Sequence, residues 1–324
     1  MAGKTGRGLK GDLRLARELS WSNFGRNVVF YAPSFAYYKG LGAPRSPLDF
    51  PSVSVTGGGC ALNCDHCGGR LLRTMIPAPT PEELIKVCEA IEAGGGAGCL
   101  ISGGCLPNGA VPLRNFAKAI KEIRRRSRLK LVVHTGLIDR ETARELGEAG
   151  IDAALIDVVG SEATLREIYH LNASLKDFDN SLRFLREAGI PVVPHVLVGI
   201  HHGRIKGEYN ALKLIARHDP AALILIVFFP VKGTRMEGDD PPRLFEVAKF
   251  MVDARIALPN KPIALGCARP KGAYRAALDS FAIEAGVNAV AFPTKEAVEL
   301  AKALRLKISY SRVCCSQIYE NLVR

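Results

Sequence analysis

Short, almost continuous apolar runs alternate with longer amphipathic segments along the chain from Pro51 onward. Such runs are typical of strands that are buried on both faces, as in a parallel sheet covered by helices. The pattern predicts strands at residues 52–56, 99–102, 129–134, 153–158, 192–198, 223–228, 263–265 and 289–292. It predicts helices in the gaps, among them 139–149, 180–188, 209–217 and 242–257.

The helix that follows the first of these strands has the clearest boundary signals. Thr80 is a good N-cap, Pro81 suits the first helical position, and Glu83 completes a capping box. Its apolar stripe has helical spacing and comprises Leu84, Val87, Cys88 and Ile91. Glu-Ala-Gly followed by Ile or Val recurs at 148–151, 187–190 and 284–287, and each glycine is expected to end a helix before the next strand.

This repeat of strand and helix predicts an α/β fold, a full or partial (βα)8 TIM-type barrel, over residues 51–300. Residues 1–50 lack the repeat and are expected to form an N-terminal extension that packs on the barrel or covers its mouth, with a helix at 12–20 and a strand at 28–33. Three aromatic residues follow that strand, Phe35, Tyr37 and Tyr38. Disorder is expected only in about the first ten residues. Residues 301–324 are expected to bring Cys314 and Cys315 near the barrel mouth.

Length and composition narrow the class of protein. The chain has 324 residues, of which 48% are hydrophobic, enough to bury a full core. No apolar run reaches about 18 residues, so no membrane span is expected. The charged N-terminus lacks an apolar segment behind it, and the nine cysteines are clustered in a long chain. Both features favour metal binding in a reducing, cytoplasmic compartment over disulfides in a secreted protein.

The formal net charge of +12 predicts affinity for an acidic partner, which nucleic acid, an acidic carrier protein or an anionic substrate would satisfy. The densest basic run, at 124–130, ends a predicted helix, and we interpret it as a solvated helix end. Few aromatic residues accompany it, so a nucleic-acid surface is not favoured.

One short motif dominates the chemistry. Cys60, Cys64 and Cys67 have the spacing C-x3-C-x2-C, directly after the first predicted barrel strand and three glycines. Iron–sulfur clusters are usually held by four Cys thiolates, so three on one loop leave an iron open to a small molecule. The alternative is a structural zinc site completed by His66 or a distant cysteine.

Polar and glycine residues also follow the later strands, where barrel active sites form. His134 follows the third strand and faces the site by position, with its role left open. Asp157 ends the fourth strand and is placed either to accept hydrogen bonds from a ribose or to cap the next helix. The adjacent His201 and His202 after the fifth strand are interpreted as loop histidines, because neighbouring histidines rarely chelate one ion together.

The motif at 60–67 resembles the signature of the radical S-adenosylmethionine (SAM) superfamily, in which the open iron binds the methionine part of SAM and a 5′-deoxyadenosyl radical then removes a hydrogen atom from unactivated carbon. The resemblance implies a [4Fe–4S] cluster on the three cysteines and SAM as cofactor. It implies that Gly103 and Gly104 contact the SAM amino group, with Cys105 where a glutamate is common. It also implies that Gly199 and Ile200 pack against the adenine.

The remaining cysteines divide into two groups. Cys88 and Cys99 lie on apolar stretches and are predicted to be core residues. The others lie in loops with polar or glycine neighbours, and are Cys105, Cys267, Cys314 and Cys315. A second iron–sulfur cluster would need about four such ligands from converging loops. The alternative is that they are unrelated thiols.

Within the superfamily, the chain from Phe30 onward is most similar to one component of the two-protein lipoyl synthases, a branch related to biotin synthase. The similar stretches are 30–35, 56–69, 102–105, 266–272 and the terminal Cys-Cys-Ser. Biotin synthase carries second-cluster cysteines on its third and fifth strands, and single-chain lipoyl synthase carries an N-terminal triad. Neither pattern is present here.

This similarity implies sulfur insertion from a second cluster into an octanoyl chain on an acidic carrier, such as an H protein or a lipoyl domain. It implies two further partners, a second sulfur-inserting enzyme and a reductant such as ferredoxin or flavodoxin. Arg269 and Lys271, beside Cys267, are candidates for substrate or cluster contacts. The candidate catalytic groups are Cys105, His134 and Arg269. Two other readings stay open: a radical SAM methyltransferase or cofactor-maturation enzyme, and a non-enzymatic metal-binding module.

Overall fold

The computed structural model describes residues 9–34 and 46–322. The expected disorder at the N-terminus falls largely on residues 1–8, and Phe35, Tyr37 and Tyr38 also lie outside the described residues. Within the described part, one sheet of parallel strands curves into a partial barrel, with the helices on its outside. The α/β barrel-type fold predicted from the strand and helix pattern is therefore confirmed.

The strands are β1 Asn27–Tyr31, β2 Ser52–Ser54, β3 Ile76–Pro77, β4 Gly98–Ser102, β5 Lys130–His134, β6 Ala153–Asp157, β7 Val192–Val198, β8 Leu223–Val227, β9 Ile263–Leu265, β10 Ala289–Ala291 and β11 Lys307–Ser311. The helices are α1 Leu9–Phe24, α2 Pro81–Ala93, α3 Ala117–Arg126, α4 Arg140–Ala149, α5 Glu162–Glu167, α6 Leu175–Glu187, α7 Glu208–Ala216, α8 Leu244–Ala257, α9 Ala273–Glu284, α10 Lys295–Ala303 and α11 Ile318–Asn321. The spatial order of the strands is β11-β1-β10-β9-β8-β7-β6-β5-β4-β2-β3. None of the described helices is long and apolar enough to cross a membrane.

Local signals in the sequence set the helix boundaries. The backbone N–H of Glu83 donates to the Thr80 hydroxyl at 3.2 Å, and the N–H of Thr80 donates back to the Glu83 carboxylate at 3.0 Å. This is the predicted capping box. Gly150, Gly189 and Gly286 each have a positive φ just after a helix, as a glycine C-cap requires.

Two edge regions of the sheet differ from the pattern-based expectation. Strand β1, from the N-terminal extension, lies inside the sheet between β10 and β11. Strand β11 was not predicted, because Lys307, Ser309 and Tyr310 give it a mixed and largely exposed pattern in place of an apolar run. An edge strand with one solvated side does not need the continuous apolar sequence of a buried strand.

The C-terminal segment returns into the barrel after β11. Ile318 is fully buried against inward-facing residues of several strands. The Tyr319 hydroxyl donates to the Asp152 carbonyl at 2.8 Å, and Lys130 pairs with Glu320 at 3.0 Å. Since Lys130 begins β5 and Asp152 precedes β6, the segment reaches the N-terminal ends of the strands. It therefore fills the barrel interior near the N-terminal ends of the strands and leaves a cavity at their C-terminal ends.

Candidate active site

The loop that carries Cys60, Cys64 and Cys67 leaves the C-terminal end of β2. The N–H groups of Cys67 and Gly68 both donate to the Cys64 carbonyl, at 3.2 and 2.8 Å, which curls the loop tightly. Cys64 is buried and Cys60 and Cys67 are half-buried, and all three line the cavity. The loop thus presents three thiols toward the barrel interior, as the spacing predicted.

The outer side of this loop is braced by two other loops. The Asp65 carboxylate accepts from Arg235 Nη1 at 2.5 Å and from His170 Nε2 at 2.8 Å, and the Asp65 N–H donates to the Ile168 carbonyl at 2.9 Å. Burial would raise the pKa of Asp65, but the hydrogen bonds from Arg235 and His170 outweigh it and lower this pKa. The carboxylate therefore stays ionised and ties the cysteine loop to the loops after α5 and β8.

The distances between the loop sulfur atoms help to distinguish a zinc site from an iron–sulfur cluster. In the described part of the chain, only His134, Asp157 and His195 place three possible ligand atoms within 4.8 Å of one another. At least one pair of the three loop sulfurs is therefore farther apart than the roughly 4 Å that Zn–S bonds of about 2.3 Å require. Thiolates around a polynuclear iron–sulfur cluster lie farther apart. The donor set fits such a cluster better than a single zinc ion.

The loop after β4 lies directly against the cysteine loop. The Gly104 N–H donates to the Thr56 hydroxyl at 2.7 Å, and the Ala61 N–H donates to the Cys105 carbonyl at 2.8 Å. A Cβ on Gly104 would overlap the Gly59 carbonyl oxygen and lie 2.6 Å from the Cys60 Cα. Only glycine permits this contact. Gly103 is less crowded, with Thr56 atoms 3.0 to 3.1 Å from its Cβ position.

Cys105 belongs with the first set of cysteines. Burial raises its pKa to about 12, and the nearby Cys60 and Cys67 add to the effect. It lines the same cavity as they do. The structure thus separates Cys105 from the other loop cysteines with which the sequence had grouped it.

Three polar side chains converge from β5, β6 and β7. His134 Nε2 lies 3.5 Å from Asp157 Oδ1, and the rings of His134 and His195 are 5.8 Å apart between centroids. Burial opposes ionisation of Asp157, but the two histidines outweigh it and lower its pKa to about 2. Asp157 Oδ1 is buried without a hydrogen-bond partner. This oxygen is therefore an ionised acceptor that an incoming ligand can use.

The turn after β7 is held by a residue that the sequence reasoning missed. The Gly199 N–H donates to the buried Glu208 carboxylate at 2.7 Å. Gly199 has φ of 80°, and a Cβ there would lie 2.5 Å from the Pro242 ring. Ile200 is buried and lines a small neighbouring pocket together with Glu208. The signal available in the sequence was an acidic residue at the start of a helix just after a glycine-rich turn.

His201 and His202 lie in this loop as interpreted from the sequence. His201 Nδ1 is 3.2 Å from the Thr164 hydroxyl, and His202 Nδ1 is 2.7 Å from Asp239. Their partners lie on different elements, and they do not join a common group of ligands among the described residues.

A second set of cysteines meets the cavity from another direction. Cys267 follows β9, and Cys314 and Cys315 lie where the C-terminal segment enters the barrel. All three line the cavity. Cys267 is accessible at the cavity wall, and the surrounding protein atoms that limit its hydration raise the pKa of its thiol to about 11. Cys267 and Cys314, which are 47 positions apart in sequence, are thus brought to one cavity by the C-terminal segment.

Arg269, a candidate for substrate or cluster contact, has a different position. Its side chain is fully buried and does not line the cavity. It donates to Asp279 from Nε and Nη2 at 2.7 and 3.0 Å, and to the carbonyls of Gly266 and Ala291 at 2.5 and 2.7 Å. The guanidinium therefore fastens the loop of Cys267 to the end of β10. Lys271 is exposed, and it does not line the cavity either.

One cavity of about 430 Å³ joins these groups. Its wall carries both sets of cysteines, the three converging polar residues and a larger number of apolar side chains, among them Leu100, Val111, Leu137, Leu171, Phe178 and Ile226. Cys88 and Cys99 are outside it, buried in the core with their sulfurs 3.9 Å apart, as predicted.

Comparison with known proteins supports an iron–sulfur cluster on the loop of Cys60, Cys64 and Cys67. The model of the radical SAM superfamily matches residues 54–204. The biotin synthase of Citrifermentans bemidjiense is 27% identical over 242 residues, which cover 73% of this chain and 72% of that protein. The mitochondrial biotin synthase of Arabidopsis thaliana is 26% identical over 255 residues, covering 74% of this chain and 64% of that protein.

Solved structures share the fold. The crystal structure of methylornithine synthase (PylB) has a TM-score of 0.64 at 17% identity and covers all of this chain and 94% of that one. The FeFe-hydrogenase maturase HydG from Carboxydothermus hydrogenoformans has a TM-score of 0.65 at 16% identity, covering 93% and 72%. The superfamily implies a [4Fe–4S] cluster and SAM, which suit the three-thiol loop described above. Residues 54–204 thus match the radical SAM superfamily, and the chain is similar to biotin synthases over about three quarters of its length.

Proposed function

We propose that this protein inserts sulfur into an unactivated C–H bond of an octanoyl group attached to an acidic carrier protein, as one of two enzymes in lipoyl synthesis. The observation that carries the proposal is the convergence of two sets of cysteines on one cavity, the loop triad with Cys105 on one side and Cys267, Cys314 and Cys315 on the other. Similarity to biotin synthases, which are sulfur-inserting enzymes, supports the reaction class.

Cys60, Cys64 and Cys67 would hold the [4Fe–4S] cluster that binds SAM. When bound, the cluster and SAM supply hydrogen-atom abstraction from unactivated carbon. The chain's own groups keep this end of the cavity rigid. The Thr56 hydroxyl holds the Gly104 N–H against the loop at 2.7 Å, and Asp65 fixes the loop from outside. Such support keeps reacting groups in a productive geometry.

Cys267, Cys314 and Cys315 would hold an auxiliary iron–sulfur cluster that serves as the sulfur source. The two segments that carry them are separately anchored. Arg269 fastens the first segment through Asp279, and Tyr319 fastens the second through the Asp152 carbonyl. Anchoring from both sides is what a polynuclear site built from distant parts of a chain requires, since it has no local loop to preorganise it.

The substrate assignment rests on the character of the cavity and the charge of the protein. Apolar side chains from the β4, β5 and β6 connections, including Val111, Leu137 and Leu171, suit an acyl chain. Leu71 is half exposed at the cavity edge, where a carrier-bound chain would enter. A net charge of +12 favours encounter with an acidic carrier.

The proposal is tested with anaerobically reconstituted enzyme, SAM, a reductant such as flavodoxin, and an octanoylated carrier peptide. Mass spectrometry should show the peptide gaining one sulfur, together with 5′-deoxyadenosine. Iron analysis should give about eight irons per chain for two clusters, against about four for one. A peptide that gains a methyl group, or that stays unmodified while 5′-deoxyadenosine accumulates, would overturn the sulfur-insertion proposal.

A further inference from the structure

His134, Asp157 and His195 are brought together by the register of three neighbouring parallel strands. Asp157 on β6 is the direct register partner of His195 on β7, so the two side chains lie side by side on the same face. His134 on β5 pairs with Leu155, which shares the inward face with Asp157 two residues further on. The sheet itself therefore sets this convergence, and loop conformation plays no part in it.

Two of the three donor groups are in the state that a metal ion needs. Burial opposes protonation of His134, but the Asp157 carboxylate outweighs it and raises the pKa of His134, so an incoming ion would displace the proton of this ring. His195 Nδ1 lies 3.1 Å from the Val193 carbonyl, so the proton occupies Nδ1 and the lone pair of Nε2 is free. Burial lowers the pKa of His195 to about 4, which keeps the ring neutral. The Asp157 carboxylate is ionised, and its buried Oδ1 has the long 3.5 Å contact with His134 Nε2 in place of a close hydrogen bond. A buried anionic oxygen without a partner is costly unless a cation or donor satisfies it.

We propose that His134, Asp157 and His195 form a binding site for one divalent transition-metal ion, such as Zn²⁺ or Fe²⁺, on the wall of the central cavity. Two imidazoles and one carboxylate with open positions are a donor set for these ions. Their three ligand atoms already lie within 4.8 Å of one another, and His134 Nε2 is 3.5 Å from Asp157 Oδ1. Ligands about 2.0–2.2 Å from a shared ion lie roughly 3–4 Å apart, so small side-chain rotations complete the site.

The site lies between the two sets of cysteines. Asp157 contributes to the raised pKa of Cys105, and Cys314 contributes to the raised pKa of His134, so each end of the group faces a different set. The ion's open positions would face the cavity, where a polar group of a substrate or water can coordinate. Metal binding here does not depend on the proposed sulfur insertion and can be measured without SAM or carrier.

The test uses anaerobically reconstituted enzyme dialysed against Zn²⁺, with zinc and iron counted per chain. X-ray absorption at the zinc edge then identifies the ligands. We expect one zinc per chain beyond the iron–sulfur iron, with nitrogen and oxygen neighbours at about 2.0–2.1 Å and an imidazole pattern. His195→Ala and the isosteric Asp157→Asn should each weaken zinc binding by at least about tenfold. His202→Ala, which removes an exposed loop histidine, should leave it unchanged.

Two results would overturn the assignment. One is a zinc shell dominated by sulfur at about 2.3 Å, which would place the ion on the cysteines. The other is a zinc affinity that is undetectable in the parent enzyme, or that is the same in the parent and in Asp157→Asn; either would leave Asp157 for another partner such as a SAM ribose. Iron content equal to that of the parent enzyme shows that each variant is folded.

Discussion

Arg269 and Asp279 form an ion pair in which both side chains are completely buried. Arg269 Nε and Nη2 donate to the two Asp279 oxygens at 2.7 and 3.0 Å, and Asp279 also accepts from the Thr294 N–H at 3.0 Å. Arg269 lies two positions from Cys267, so this pair connects the stability of the barrel to the placement of a cavity thiol.

Arg269→Ala is expected to destabilise the protein by about 3–5 kcal/mol, because the buried Asp279 carboxylate loses its two guanidinium hydrogen bonds and keeps only the Thr294 N–H and the more distant Arg275 at 4.0 Å. Thermal unfolding of the variant should show a melting temperature lower by several degrees. Arg140→Ala removes an exposed arginine paired with Glu187 and should cost no more than about 1 kcal/mol. Equal melting temperatures for the two variants would contradict the structural role of Arg269.

Gly104→Ala is expected to displace the cysteine loop, because the new methyl group would overlap the Gly59 carbonyl and press on Cys60. Iron content and 5′-deoxyadenosine formation should both fall sharply. Gly58→Ala is the matched control, since nothing lies within 4 Å of its Cβ position and its φ suits any residue. The interpretation fails if Gly104→Ala keeps full iron and activity.

Cys64→Ala and Cys315→Ala should separate the two halves of the proposed reaction. The first variant loses a ligand of the SAM-binding cluster and should form no 5′-deoxyadenosine. The second should still cleave SAM, while sulfur transfer stops and iron falls by about four per chain. Cys88→Ala, in the core, should retain both activities. Normal product from Cys64→Ala would refute the assignment of the first cluster.

Glu208→Gln is expected to be at least as stable as the parent at neutral pH. Burial raises the pKa of Glu208, so the folded state binds its proton more tightly than the unfolded state does. The ionised form of Glu208 therefore destabilises the folded state at neutral pH, and this destabilisation disappears as pH falls through the folded-state pKa. Glutamine keeps the acceptor for the Gly199 N–H without the charge.

Melting temperatures between about pH 7 and pH 4 check this prediction. The advantage of Glu208→Gln should be largest near neutral pH and should shrink as the parent carboxylate becomes protonated. Glu208→Ala serves as the comparison, because it loses the acceptor and should be destabilised throughout. An advantage of Gln that grows toward low pH would show that the sign of the pKa shift is wrong.

Features that depend on neighbours along the chain could be predicted from residue pattern alone. The strands β4 to β10 are near-continuous apolar runs, and the Thr80 capping box needs only residues three positions apart. The spacing of Cys60, Cys64 and Cys67 likewise defines a single loop. Such features follow from local geometry, so residue type and spacing are sufficient to identify them.

Other features depend on how distant segments pack. The amphipathic pattern of β11 gives little indication that it borders β1, and nothing near Cys314 shows that the C-terminal segment turns back into the barrel. The burial of Arg269 against Asp279 and the meeting of His134, Asp157 and His195 depend on strand order and register. Strand order and register are set by the sum of many weak contacts between residues far apart in sequence. Each contact is too weak to produce a recognisable local sequence pattern. Local pattern thus identified the barrel and its three-thiol loop, whereas packing decided which side chains share the cavity.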